Sequence, residues 1–157
     1  MLSPNRSSKL GSRALLSSDA GMNHQEHQGH QEVSAEVDQV ARSIVDAGLK
    51  VHKALGPGLL ESAYEHCLAY ELGVRGLSVR RQLALPIEYA GQTLDAGYRV
   101  DLLVADAVIV EIKAVDALTR VHQAQVLTYL KLAKLRLGLL MNFNVELFKH
   151  GVRRVAL

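Results

Sequence analysis

Apolar and polar positions follow two rhythms along this chain, one of period three to four and one of period two. From Ser34 to Leu55, Val37, Val40, Ala41, Ile44, Gly48, Val51 and Leu55 recur at helical spacing and form one stripe, which predicts a first helix. His52 lies at the edge of that stripe and reads as a core histidine with a satisfied partner. Gly56-Pro57-Gly58 stops the helix and turns the chain. A second helix is expected over Leu59–Val74, with Leu60, Tyr64, Leu68 and Leu72 on its buried arc. Leu77–Tyr89 and Gln92–Gly97 read as strands around a turn at Ala90-Gly91. A third helix is expected over Thr119–Lys134, capped by Asp116 or Thr119, with Val121, Val126, Leu130, Leu132 and Ala133 inward. Leu135–Phe143 and Val145–Leu157 read as two closing strands around Asn144. Helix, helix, antiparallel strands, helix and two strands imply an α/β fold, a mixed central sheet with helices on both faces.

Between the second and third helices stands YRVDLLVADAVIVEIK, Tyr98–Lys113. Two β-branched runs flank Ala105-Asp106-Ala107, the pattern of a hairpin with a three-residue loop. That loop pairs Val104 with Val108 and Leu102 with Val110, and sets Asp101 opposite Glu111. Lys113, two residues beyond Glu111, points the same way. Two carboxylates and one ammonium thus collect at the open end of the hairpin, while Leu102, Val104, Val108, Val110 and Ile112 fill the other face. Opposed like charges destabilise a sheet unless a cation lies between them. Hard divalent cations are commonly held by one or two carboxylates plus water and a substrate phosphate. Taken alone, so short a D…ExK pattern is better read as an exposed ion pair of Lys113 with Asp101 or Glu111, which contributes little to stability.

Two further elements carry polar groups where apolar ones are expected. Glu61 falls in the middle of the buried arc of the second helix. The helix dipole favours an acid in the first turn, but an inward charge needs a partner: a metal, a lysine, or the Tyr64 hydroxyl. On the third helix, His122, Gln125 and Tyr129 lie among the apolar positions. Each alone is best explained by a backbone partner; three at one-turn spacing are harder to explain so.

Composition narrows the choices. The chain has 157 residues, 48% of them hydrophobic, enough for one domain with a real core and a tail. Aromatics make up 4% and tryptophan is absent, which argues against a base-stacking platform. A net charge of +2 permits a polyanionic partner without demanding one. Cys67 is the single cysteine, so no internal disulfide forms and a reducing, cytoplasmic location is expected. No apolar run approaches the ~20 residues that span a bilayer. Residues 1–33 are expected to be a disordered tail ahead of a domain over 34–157. Met1–Ser18 is basic, Ser-rich and acid-free, compatible with a transit peptide or with an over-extended start before Met22, the reading preferred here. His24, His27 and His30 follow among Gln and Glu, and no function is assigned to them.

GLLESAY at Gly58–Tyr64 resembles the signature of the GxxExxY proteins, a branch of the PD-(D/E)XK nuclease-like superfamily. Similarity extends from about Val40 to Val155 through VHKALGPGLLESAYE, GYRVDLLV, VIVEIKAV, VHQAQVLTYLKL and LGLLMNFN. The resemblance implies a restriction-endonuclease-like core in which Asp101, Glu111 and Lys113 are the acidic pair and lysine. It also implies that Glu61 is an additional acid near the metal and that Gln125 and Tyr129 form a QxxxY element beside the site. Val100 stands where the superfamily name has proline, a common replacement. The function implied is a Mg²⁺- or Mn²⁺-dependent nuclease acting on nucleic acid, DNA ahead of RNA, as a monomer or homodimer. Asp101, Glu111, the Ile112 carbonyl and Glu61 would be the metal ligands; Lys113, Gln125 and Tyr129 would position the attacking water and the substrate. The alternative is a nucleic-acid-binding or assembly module that keeps the fold and a vestigial site.

Overall fold

The computed structural model describes residues 32–157; the tail and its histidines lie outside the described residues, apart from Glu32 and Val33. Helix α1 (Ala35–Leu55) starts where the Ser34 hydroxyl accepts the Val37 N–H, and stops at Gly56, whose φ of 68° suits glycine. The Gly56–Leu59 turn is pinned from the next helix: the Tyr64 hydroxyl donates to the Gly56 carbonyl and accepts the Leu59 N–H. Tyr64 is therefore not the partner of Glu61. Helix α2 (Glu61–Val74) begins later than expected, so Leu60 is its N-cap and 78% exposed rather than buried.

The expected first strand is divided. Pro86, which has no N–H for a ladder, separates β1 (Val79–Ala84) from β2 (Ile87–Tyr89). The latter pairs only with β3 (Gln92–Leu94), forming a separate two-stranded hairpin. Strands β4 (Arg99–Val104) and β5 (Val108–Lys113) form the central hairpin, with Leu102 opposite Val110 and Val104 opposite Val108 as expected. Its loop turns through left-handed Ala105 and Asp106.

Helix α3 (Arg120–Ala133) then carries the chain to β6 (Leu137–Asn142), which runs parallel to β5. Val145–Leu157 is not one strand. A 3₁₀ turn at Phe148–His150 precedes β7 (Val152–Ala156), antiparallel to β6. The five-stranded mixed sheet has the order β1-β4-β5-β6-β7. One apolar layer joins Ile44, Tyr64 and Leu68 of α1 and α2 to Leu102, Val110, Ile112 and Met141. The other joins Val126, Tyr129 and Leu130 of α3 to Val100, Leu103, Ile109 and Leu140. Helices on both faces of a mixed sheet make this a restriction-endonuclease-like α/β architecture. His52 is buried in the first layer with Nε2 2.7 Å from the Val145 carbonyl, the satisfied core histidine expected.

Candidate active site

Strand alternation places Glu111 and Lys113 on the α3 side of the sheet, since Val110 and Ile112 pack on the α1/α2 side. Glu111 is 4% exposed. Its Oε1 accepts from Lys113 Nζ at 3.3 Å, and its Oε2 is buried with no hydrogen-bond partner among the described residues. Burial first, and the nearby charge of Asp101 second, push the Glu111 carboxyl up to about 7. Lys113 opposes that rise but does not cancel it.

Asp101 is not set in a ladder pair with Glu111. The β4–β5 ladder ends at Leu102–Val110, and the Asp101 carboxylate takes over the next N–H: Oδ2 accepts from Ile112 N at 2.8 Å. Its Oδ1 accepts from Gln82 Nε2 at 3.2 Å. Burial raises the Asp101 pKa as well, against the lowering effect of these two donors. The charge of Glu65 adds to the rise of Asp101 and the charge of Asp101 to that of Glu111, while the one Lys113 ammonium opposes both.

Glu61 lies on the arc the helical spacing predicts but is exposed, because it is the first residue of α2. It faces a cleft of about 590 Å³ lined also by Ser62, Glu65, Gln82, Asp101 and Ala114. There its Oε1 accepts the Ala114 N–H at 3.2 Å, one residue beyond Lys113. Its charge is among the causes that raise Glu111.

Of the three polar residues on α3, two belong near the carboxylates and one does not. Tyr129 is 3% exposed, and its hydroxyl accepts from Gln125 Nε2 at 2.7 Å. Burial raises its pKa, and the charges of Glu111 and Asp101 add to the rise. Tyr98 packs edge-on against its ring. His122 instead closes a capping box, its Nδ1 accepting the Thr119 N–H. Val121, expected inward, is 75% exposed in that same first turn.

Among the described residues no group of three or more His, Cys, Asp or Glu side chains converges as a metal site. Asp101 and Glu111 are the side-chain donors a cation would find. Oxygen-only donors, few in number, suit a hard ion that keeps much of its own water. The unpartnered Glu111 Oε2 is the atom such an ion would satisfy, so the residues fit.

A model of the PD-(D/E)XK nuclease superfamily matches residues 38–155. The chain belongs to that superfamily. Comparison with curated proteins and with solved structures gives no match. Among the described residues no helix is long and apolar enough to cross a membrane.

This PD-(D/E)XK member also carries a polar cluster that periodicity did not single out. Glu65 of α2 is 7% exposed and accepts from Arg81 Nε at 3.1 Å and Gln82 Nε2 at 2.9 Å. Its sequence signal was available: Glu65 lies one position after Tyr64 and three before Leu68, inside the apolar arc. Gln82 gave none, for it stands in what reads as ordinary strand.

Proposed function

We propose that this chain is a divalent-metal-dependent nuclease of the GxxExxY branch that hydrolyses phosphodiester bonds in nucleic acid, DNA before RNA. The reading rests above all on Glu111, buried beside Lys113 with one carboxylate oxygen unpaired among the described residues, next to the half-buried Asp101 whose charge adds to the rise of its pKa. Asp101, Glu111 and the Ile112 carbonyl would hold Mg²⁺ or Mn²⁺, with Glu61 joining directly or through water from the cleft. When bound, such a cation supplies positive charge to the scissile phosphate and acidifies a water.

The chain's own residues do the rest. The Lys113 ammonium, fixed against Glu111, orients the attacking water and offsets charge that develops on the phosphate oxygens. The water oxygen bonds to phosphorus as it gives up a proton to solvent, the bond to the leaving oxygen breaks, and that oxygen takes up a proton, so a phosphate monoester and a hydroxyl end result. Gln125 and Tyr129, hydrogen-bonded to each other on the α3 side of the sheet, orient the reacting phosphate and the attacking water. Burial at 4% exposure shields Glu111 from bulk water, while Asp101 and Glu61 line the open cleft.

The test is Mg²⁺-dependent cleavage of end-labelled single- and double-stranded DNA and RNA by the wild type, Asp101→Asn and Lys113→Ala. Cleavage by the wild type and at least about 100-fold less by both folded variants is expected. Equal cleavage by all three would overturn the assignment. Salt-sensitive nucleic-acid binding without any Mg²⁺-dependent product would favour a binding module instead.

A further inference from the structure

The sheet changes face at one rung, and that rung contains Asp101. In a regular strand, residues of like parity share a face. Val79 and Leu83 of β1 have the same parity, yet Val79 packs in the α1/α2 layer and Leu83 against the α3 layer. In β4, Val100 and Leu102 are likewise two apart and lie in opposite layers. Arg81 pairs with Leu102 and Leu83 with Val100, so both strands switch between those pairs, where Gln82 and Asp101 stand opposite each other outside the ladder. Gln82 has φ of 50°, a left-handed backbone that a non-glycine residue rarely adopts.

The switch has a chemical result. Consecutive strand residues should point to opposite faces, yet Arg81 and Gln82 both donate to the Glu65 carboxylate, one to each oxygen. The Gln82 amide nitrogen donates in addition to Asp101 Oδ1. With the Ile112 N–H on Oδ2, both oxygens of Asp101 are then fixed by donors, and its carboxylate plane is set. Glu65 in turn is held by Arg81, itself against the His66 ring. Strained backbone persists where the surroundings over-determine it, and it gathers at functional sites. Extended backbone at position 82 would send the amide to the other face, away from Glu65.

We infer that Gln82 is a positioning residue for the metal site: its left-handed backbone, anchored through Glu65 and Arg81, aims the Asp101 carboxylate at the cation. The inference rests on the metal-dependent reading above. Gln82 acts through its hydrogen bond to Asp101, as donors behind metal ligands commonly do.

Glycine separates the two roles of this residue. Gln82→Gly removes the amide while favouring the left-handed backbone, so the fold is preserved or gains stability. Mn²⁺ binding is measured by titration calorimetry and by the EPR spectrum of bound Mn²⁺, with thermal denaturation alongside, on wild type, Asp101→Asn, Gln82→Gly and Gln82→Asn. Asparagine also accepts the left-handed region but is too short to span Glu65 and Asp101. The expected result is a Kd for Mn²⁺ raised about ten- to a hundredfold in both Gln82 variants, an altered EPR line shape, and no loss of melting temperature in Gln82→Gly. Wild-type Mn²⁺ affinity in Gln82→Gly would overturn the inference while the loss in Asp101→Asn left the metal site standing. Equal Mn²⁺ binding by wild type and Asp101→Asn would remove the metal reading and this inference with it.

Discussion

Glu71 on α2 and Glu111 on β5 are both nearly buried glutamates, and the chain treats them in opposite ways. Glu71 receives two cations, Lys50 Nζ at 2.9 Å and Arg75 at 3.4 Å, and the Lys50 hydrogen bond holds its carboxyl below the ordinary range. Among the described residues Glu111 receives one, Lys113 at 3.3 Å, and keeps an oxygen unpaired, and it is pushed up to about 7. A carboxylate folded for stability is compensated by its neighbours. One left short of compensation makes the fold less stable than it could be, and such deficits collect where a charged ligand belongs.

The sharpest way to break this comparison is to neutralise each glutamate in turn. Glu111→Gln is expected to lower Mg²⁺-dependent cleavage at least about 100-fold and yet raise the melting temperature of the metal-free protein at pH 8. Glu71→Gln is expected to leave cleavage unchanged and lower the melting temperature by a few degrees. Parallel effects of the two substitutions on both readouts would show that the contrast carries no function.

The next effect is one of pH. A carboxyl whose folded pKa lies above its unfolded value binds more protons in the folded state, so its contribution to stability is present below about 4.5 and lost as pH rises through about 7. Asp101 shifts in the same direction. The stability gap between Glu111→Gln and wild type, followed by denaturation in EDTA, should widen from pH 5 to pH 8 toward the order of 3 kcal/mol and then level off. A gap independent of pH would deny the raised pKa.

The smallest expected effect is that of Tyr129→Phe, which takes the hydroxyl from the Gln125 amide. It should reduce kcat about tenfold with little change in melting temperature. A change in KM alone would move Tyr129 from orienting the reacting group to holding the substrate.

Much of the fold was legible because local rules and tertiary packing agree. The β4–β5 register follows from loop length and alternation, and α1 from a stripe with a serine cap and a glycine stop. Lys113 and Glu111 could be placed on one face for the same reason. Glu61 was right in angle and wrong in burial, since a helical wheel gives direction but not how far the sheet extends beneath the first turn. His122 looked inward because capping and burial produce the same spacing. Gln82 was hidden for a deeper reason: its role depends on a left-handed backbone, and glutamine, unlike glycine or asparagine, does not announce one. The face switch at that rung is a non-local event, invisible to periodicity taken strand by strand.

The parallel pairing of β5 with β6 sets the order in which this chain can assemble. The β4–β5 hairpin is local, so its ends meet at small loop-closure cost and its two acids become neighbours early. Strand β6 can join only after the whole α3 crossover has been placed, a slower, longer-range event. Gln125 and Tyr129 travel on that crossover. Carboxylates and tyrosine therefore meet only when the sheet has closed, and a half-folded chain exposes the acids without the element that would complete a reaction centre around them.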